Sequence, residues 1–523
     1  MFALLLAAFA LLRGSSALLV TLDNENPRVD QYGHIVNAHD GSVTRFVNAS
    51  TGAVAFNGLY FMYGTVYENC TQHGTQCSGC GYSPNTFALY TTPDLVHFML
   101  AAPNVLPEAA KDNDHVSYWM PVVFYNPTTA QYVMQYWSGR CGFVKPCADI
   151  AVSSSPYGPF KMVPPLALHG GTPSSQMGFF VDPDTHEGFV KYNTGAPQHH
   201  VVERLAPDWL STTGEWSIVL WKTSFAWMEG GGMLKRGGLF YYMTGTDCCF
   251  CTWGGDARYW TARSALGPWH PGLAPPPPRR ALRPQWPVAE PQRRRHGQRV
   301  PDPPPGARLQ CALGQQQAAA SSARAREALS LPPTLFTALS PQLQNFTFTD
   351  AKGSAAGWVD PATGYVNFPP SAGDGRGVVT SADGRAAGCD RIRWFGYESF
   401  IWCRVGAACP LPSYADAPEL NYCADGSLPH EDVRVNPCDP QVERGVNFTV
   451  PAQQFNVIPV ATSGASGSST TWLYYGERAN SAPDGLFSHN FQAWVPLSFD
   501  AQGAIQRLTF PATFELNLTN DTA

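Results

Sequence analysis

Two carboxylates in this chain share a local setting. Asp40 stands in NAHDGSVTRF (37–46) and Glu229 in WMEGGGMLKRGGLFYY (227–242), each followed at once by glycine and then by an apolar run. Asp before Gly is also a common turn signal, so a plain turn carboxylate is the competing reading at Asp40. Three glycines after Glu229 exceed what a turn needs, and glycine lets a ligand approach the backbone closely. Two carboxylates that meet in one channel are the minimum for acid–base displacement at an acetal carbon. One protonates the leaving oxygen, and the other activates water or attacks carbon.

The elements that must hold these residues are strands. Helical periodicity is nearly absent, and the informative runs alternate apolar and polar residues between Gly, Pro, Asn and Asp turns. They repeat: GLYFMYGTVY with FALYTTPDLVHF, YWMPVVFYNPTTAQYVMQYWSG with DIAVSSSPYGPF, and QMGFFVDPDTHEGFVKYNTG with HHVVERLAPDWL. Two more units follow, MEGGGMLKRGGLFYYMTGTD with RYWTARSALGPW, and TTWLYYGERAN with FQAWVPLSFDAQGAIQRL. Each supplies a hairpin and a further strand, which is the content of a four-stranded blade, so an all-β five-bladed β-propeller is expected. The inner strands of a propeller converge on a central channel. Residues far apart in sequence can therefore share one site.

The expected organisation is a signal peptide over 1–17, blades 1 to 4 over 18–273, and a last blade with a C-terminal tail over 447–523. Residues 274–333, rich in Pro, Arg, Ala and Gln, hold too little apolar content to bury a core and read as a disordered low-complexity linker. Residues 334–446 form an insertion of unknown fold before the last blade, with five cysteines from Cys389 to Cys438.

Composition narrows the function classes. Of 523 residues only 14% are charged, Gly (48), Pro (46), Trp (15) and Tyr (21) are plentiful, and the formal net charge is -6, so no basic field invites nucleic acid. The apolar stretch Phe2–Leu12 is too short to span a bilayer and fits a secretory signal, although an uncleaved anchor stays open because no Lys or Arg precedes it. No other stretch reads as a transmembrane span. Six Asn-x-Ser/Thr sequons, at Asn48, Asn69, Asn345, Asn447, Asn517 and Asn520, would make the product a glycoprotein on the secretory route. A secreted or endomembrane location, a monomeric state and no cofactor are expected.

Fourteen cysteines suit that route. CSGC (77–80) is half a zinc site, but no second pair has ligand spacing and DCCFC (247–251) is cramped for a tetrahedral ion, so disulfides are expected and no metal.

Taken in order, DGSVTRF with GLYFMYGT, MPVVFYN with YVMQYWS, AVSSSPYGPF, MEGGGMLK, ALGPW and YYGERANSAPDG resemble glycoside hydrolase family 43. The spacing is most like its exo-β-1,3-galactanase branch. The resemblance covers about residues 35–270 and 450–510. It implies a five-bladed propeller and inverting hydrolysis, with an Asp base in the first blade, an acid-tuning Asp in the third and a Glu acid in the fourth. Position by position the base falls on Asp40 and the acid on Glu229, while the tuning slot falls on Gln176 of SSQMGFF. A Gln supplies no negative charge to hold a proton on the acid. The branch also implies a last-blade Gln that assists water, matched by Gln453 of PAQQFNVIP, with Gln344 second. Thr65 and Trp119 stand where the branch uses carboxylates around the sugar.

The catalytic candidates are thus Asp40, Glu229 and Gln453, and the substrate-binding candidates are His39, Trp119, Gln176, Trp253 and Glu477. His39 and Glu477 also admit structural readings, a strand hydrogen bond and a cross-strand pair with Arg478. Trp119, Trp253 and Trp494 could stack on a sugar or pack a blade. The expected activity is removal of a terminal sugar, galactose from β-1,3-galactan, from an oligosaccharide or polysaccharide. β-Xylosidase or α-L-arabinofuranosidase is the alternative among enzymes, and a sugar-binding propeller that has lost catalysis is the alternative outside them.

Overall fold

The strand Tyr60–Val66 shows how the repeated unit folds. Tyr60 and Met62 join one apolar cluster while Phe61 and Tyr63 join the next, so a strand of period two buries both of its faces. The computed structural model describes residues 17–273 and 448–519, other than 49–50, 52, 69–70, 72–84, 110–115, 142–146, 172, 195–198, 222–227, 247–253 and 465–466. It also describes four short strands between 348 and 379 and residues 418, 420 and 423.

The protein is an all-β five-bladed propeller. Blade 1 holds β2 (His39–Arg45), β3 (Tyr60–Val66), β4 (Thr86–Thr92) and β5 (Met99–Ala102), and blade 2 holds β6 (Tyr118–Asn126), β7 (Gln131–Ser138), β8 (Cys147–Ser153) and β9 (Lys161–Val163). Blade 3 holds β10 (Pro173–Val181), β11 (Gly188–Thr194), β12 (His199–Leu205) and β13 (Thr212–Trp221). In blade 4 the inner edge is split into β14 (Met228–Glu229) and β15 (Met233–Arg236), both paired with β16 (Leu239–Thr246), followed by β17 (Arg258–Ala262) and β18 (His270–Pro271). Blade 5 is built on β23 (Gln453–Gly464), β24 (Gly467–Arg478) and β25 (Phe491–Pro496). Between blades 4 and 5 a separate sheet of β19 (Phe348–Asp350), β20 (Ala355–Val359), β21 (Val366–Asn367) and β22 (Gly377–Val379) lies in the expected insertion.

Five apolar cores, one at each seam between successive blades, hold the ring. They centre on Phe61 and Val123 (blades 1 and 2), Val133 and Tyr192 (2 and 3), and Phe189 and Tyr242 (3 and 4). Tyr241 with Tyr474 (4 and 5) and Tyr475 with Tyr60 (5 and 1) complete the set. Burying each such side chain contributes about 1.5–3 kcal/mol. The ring is closed by the two ends of the described chain. β1 (Ala17–Asp23) runs antiparallel to β26 (Thr513–Thr519), β26 touches β23 at Thr462↔Leu518, and Val20, Leu22, Leu516 and Leu518 pack into the core between blades 5 and 1.

The inner strand of every blade carries a β-bulge at corresponding depth. Register slips between His39 and Ser42, Trp119 and Val122, Pro173 and Met177, Glu229 and Met233, and Gln454 and Asn456. A bulge bends its strand and re-aims the side chains beside it. All five bulges hold or adjoin a candidate residue named from the sequence: His39 and Asp40, Trp119, Gln176, Glu229 and Gln453.

Cys141 and Cys147 form a disulfide that ties the β7–β8 connection, and Cys423 is also disulfide-bonded. Among the described residues no helix is long and apolar enough to cross a membrane. Residues 1–16, the segment 274–333, Gln344 and Trp253 lie outside the described residues.

Candidate active site

Asp40 sits within the blade 1 bulge in a left-handed backbone conformation, φ 44°, which Asp tolerates better than most residues. Gly41 beside it is required by close approach, since a Cβ there would stand 1.9 Å from the Tyr63 carbonyl oxygen. The carboxyl is 3% exposed. Tyr67 donates its hydroxyl to Oδ2 at 3.3 Å, and Thr65 lies close by without good bonding geometry. Burial pushes Asp40 up to about 7, against the pull of Thr65, His39 and Tyr67.

His39 and Glu477 form a buried pair beside it. His39 Nδ1 lies 2.8 Å from Glu477 Oε1, and Nε2 lies 3.0 Å from the Ser488 carbonyl oxygen. An ionised carboxylate and a carbonyl can only accept, so beside an ionised Glu477, whose own affinity for a proton burial raises, both ring nitrogens donate and the ring carries a positive charge. Burial opposes that charge, but Glu477 and the Ser488 carbonyl outweigh it and His39 is raised. Gln453 and Gln492 stand opposite Glu477 on β23 and β25, and cross-strand partners share a face. Gln492 donates to the Ala38 carbonyl at 2.7 Å, so this face of blade 5 lies on the strand that carries Asp40.

Glu229 ends β14 and is 9% exposed. Gly230 and Gly231 follow at φ 70° and 74°, and a Cβ on Gly230 would stand 1.9 Å from the Gln454 carbonyl oxygen, so this turn accepts only glycine. Three side chains hold the carbonyls of this segment. Asn193 Nδ2 donates to Met228 O at 3.2 Å, Thr244 Oγ1 to Glu229 O at 2.8 Å, and Lys191 Nζ to Gly230 O.

Gln176, in the blade 3 bulge, reaches this turn, with Oε1 2.9 Å from where a Gly230 Cβ would be. Gly231 N–H donates to the Gln454 carbonyl at 3.3 Å. The Glu229 turn therefore touches both blade 3 and blade 5, and blade 5 in turn carries Glu477, the partner of His39 beside Asp40 in blade 1. Asp40 Oδ1, Gln176 Oε1 and both side-chain polar atoms of Gln454 are buried without a hydrogen-bond partner. Such atoms each cost about 1–3 kcal/mol unless something outside the protein satisfies them.

The aromatic candidates divide. Trp119 is 2% exposed and stacks on Trp137 with centroids 4.0 Å apart, in a cluster with Tyr67, Met120 and Phe487. Trp494 is core, with the Arg28 guanidinium 3.8 Å above its ring. Glu477 is paired with His39 and not with Arg478, because consecutive strand residues point to opposite faces; Arg478 instead donates to the Asn24 carbonyl.

Lys191, Asn193, Tyr67 and Gln454 escaped the sequence reading. For Lys191 the signal lies in the fold and not in the sequence: GFVKYNT is a strand with all seven residues buried, and a lysine in such a strand needs a partner. Among the described residues no group of three or more His, Cys, Asp or Glu could hold a metal ion. The arrangement can donate and accept protons on two buried carboxyls, and it can hydrogen-bond a polar ligand through amides.

No protein-family model and no curated protein matches this chain. Among solved structures, an exo-β-1,3-galactanase from Clostridium thermocellum is 13% identical, with a TM-score of 0.45 over 96% of this chain and 67% of that one. A family 43 β-1,3-galactosidase bound to galactodeoxynojirimycin is 14% identical, with a TM-score of 0.46 over 94% and 99%. A further family 43 β-1,3-galactosidase is 20% identical, with a TM-score of 0.37 over 48% and 49%, so this chain spans about half of its length.

Proposed function

We propose that this chain is a glycoside hydrolase that removes a terminal β-linked sugar by single displacement, with galactose of a β-1,3-galactan as its substrate. The observation that supports it best is the placement of Asp40 and Glu229 at bulges of two inner strands, both buried, beside amide groups that lack partners. A polyhydroxylated ligand satisfies such amides. Glu229 gives its proton to the glycosidic oxygen as the bond breaks. Asp40, with Gln453 on its flank, takes a proton from the water that attacks the opposite face, so the anomeric configuration inverts. A base held at about 7 is matched to work near neutral pH.

Galactose rests on the sequence resemblance alone, and β-xylosidase or α-L-arabinofuranosidase is the alternative within the class. The apolar Phe2–Leu12 and the sequons support an extracellular or endomembrane setting. The test is hydrolysis of a panel of aryl glycosides and galactan oligosaccharides by the full chain and by Glu229→Gln. Loss of about 10²–10⁴ in kcat with unchanged melting is expected, with an inverted first product by NMR. Wild-type turnover in Glu229→Gln would remove the acid assignment, release of pentose without galactose would change the substrate, and retention would exclude single displacement.

The second reading, a propeller that binds sugar without cutting it, is favoured by Gln176 and Lys191, since an amide and an amine surround the proposed acid where a carboxylate would help it keep its proton. Product binding by calorimetry, with no release from any substrate in the panel, would establish it.

A further inference from the structure

We propose that Lys191 is the positioning residue of Glu229: from blade 3 it fixes the backbone that carries the carboxylate and sets the charge that the carboxylate faces. The inference rests on the reading of Glu229 as proton donor.

Lys191 lies in the middle of β11 and is 2% exposed, a rare state for lysine unless it is paired. The fold makes room for it. Its register partner on β10 is Gly178, where a Cβ would stand 2.6 Å from Lys191 Cε and 3.1 Å from Cγ, so the stem runs through a slot that only glycine leaves open. Beyond the slot Nζ donates to the Gly230 carbonyl and lies 5.4 Å from the centroid of the Tyr242 ring, a cation–π distance.

Asn193, two residues on and on the same face, holds the Met228 carbonyl, and Thr244 holds that of Glu229. Consecutive carbonyls at 228, 229 and 230 are thus each gripped from outside the segment. The grip is needed, because two left-handed glycines after Glu229 give the turn little stiffness of its own.

The groups that face Lys191 are few. β14 presents Glu229, β16 presents Tyr242, β10 presents Gly178, and Val202 of β12 stands opposite in register. Glu229 is the acidic neighbour among the described residues. Burial lowers Lys191 to about 7, and the charge of Glu229 resists that fall. A protonated Lys191 stabilises the Glu229 anion, whereas a neutral one does not. Gln176 adds no charge to this balance, so the cation decides it.

The test compares the full chain with Lys191→Met, Lys191→Arg and Gly178→Ala, alongside Glu229→Gln. Lys191→Met should lower kcat about tenfold or more with KM little changed, and should move the alkaline limb of kcat to higher pH. Lys191→Arg should keep the limb in place. Gly178→Ala leaves the charge but crowds the stem off Gly230, and should lower kcat without moving the limb. Independently of turnover, the 13C-labelled side-chain carboxyl of Glu229, assigned by its loss in Glu229→Gln, should titrate at higher pH in Lys191→Met. A wild-type kcat in Lys191→Met, or an unmoved Glu229 titration, would overturn the inference. If Glu229→Gln kept its activity, the acid reading would fall while the carboxyl titration still decided the pairing; should Lys191→Met not fold, Gly178→Ala and Lys191→Arg decide it.

Discussion

The seam between blades 5 and 1 and the turn between blades 3 and 4 each bury a titratable group, and they displace it in opposite directions. At the first, burial lifts the Asp40 carboxyl to about 7; at the second, burial lowers the Lys191 amine to about 7. Their partners also differ. Asp40 stands next to an ion pair, His39 with Glu477, whose charges offset each other, whereas Lys191 stands next to the single charge of Glu229. The comparison teaches that desolvation can bring groups of opposite type to the same working pH, and that the partner's charge then decides which of them carries a proton.

The signs of the two effects follow from linkage. A raised carboxyl makes the native state bind more protons than the unfolded chain between about pH 4 and 7, so stability falls as pH rises through that window. A lowered amine makes the unfolded chain bind more protons between about pH 7 and 10.5, so stability falls as pH drops through that window. Near neutrality the site carries both costs almost in full.

The largest expected effect comes from Asp40→Asn. Turnover should drop by about 10²–10⁴, while stability at pH 8 rises by on the order of 4 kcal/mol, roughly three pKa units of removed penalty. Urea unfolding from pH 4 to 11 checks it: the gap to wild type should close near pH 4. The same scan on Lys191→Met should close at the other end, near pH 10. A pH-independent gap for either variant would dissolve the contrast between the two seams.

Next in size is Glu477→Leu, which leaves the buried His39 Nδ1 without its partner and should destabilise by about 3–5 kcal/mol. A loss below about 1 kcal/mol, read by the same unfolding method, would mean that the seam between blades 5 and 1 does not depend on its ion pair. The smallest effect is expected from Trp119→Phe, which keeps a ring against Trp137 and should cost at most about 1.5 kcal/mol with little change in KM. A large rise in KM would show that Trp119 touches the sugar despite its burial.

Much of the fold was legible because alternation is local. QMGFFVDPDTHEGFVKYNTG became β10 and β11, and TTWLYYGERAN became most of β24, since each run carries its own period and turn residues. The clasp of β1 with β26 was not, because pairing between Ala17 and Thr519 leaves no trace in either segment alone. At the site, glycine marked Asp40 and Glu229 as places of close approach, but what approaches is the protein's own backbone, the Tyr63 and Gln454 carbonyls, where the sequence suggested a ligand. The His39–Glu477 pair, 438 residues apart, could not be read, and the adjacent Arg478 offered a false partner on the wrong face of its strand. Lys191 was missed because one charge in a hairpin resembles a solvated residue until both faces of the strand are known to be covered.

The clasp also sets an order in time. During synthesis blade 1 emerges with Asp40 on an open edge, where water reaches the carboxyl and keeps it an ordinary ionised acid. Glu477 and Ser488, which hold His39 beside it, and β26, which closes the ring, leave the ribosome more than 400 residues later. Asp40 therefore takes up the proton affinity of a working base only when the last blade docks, and a chain stopped before residue 448 lacks the blade that confers it.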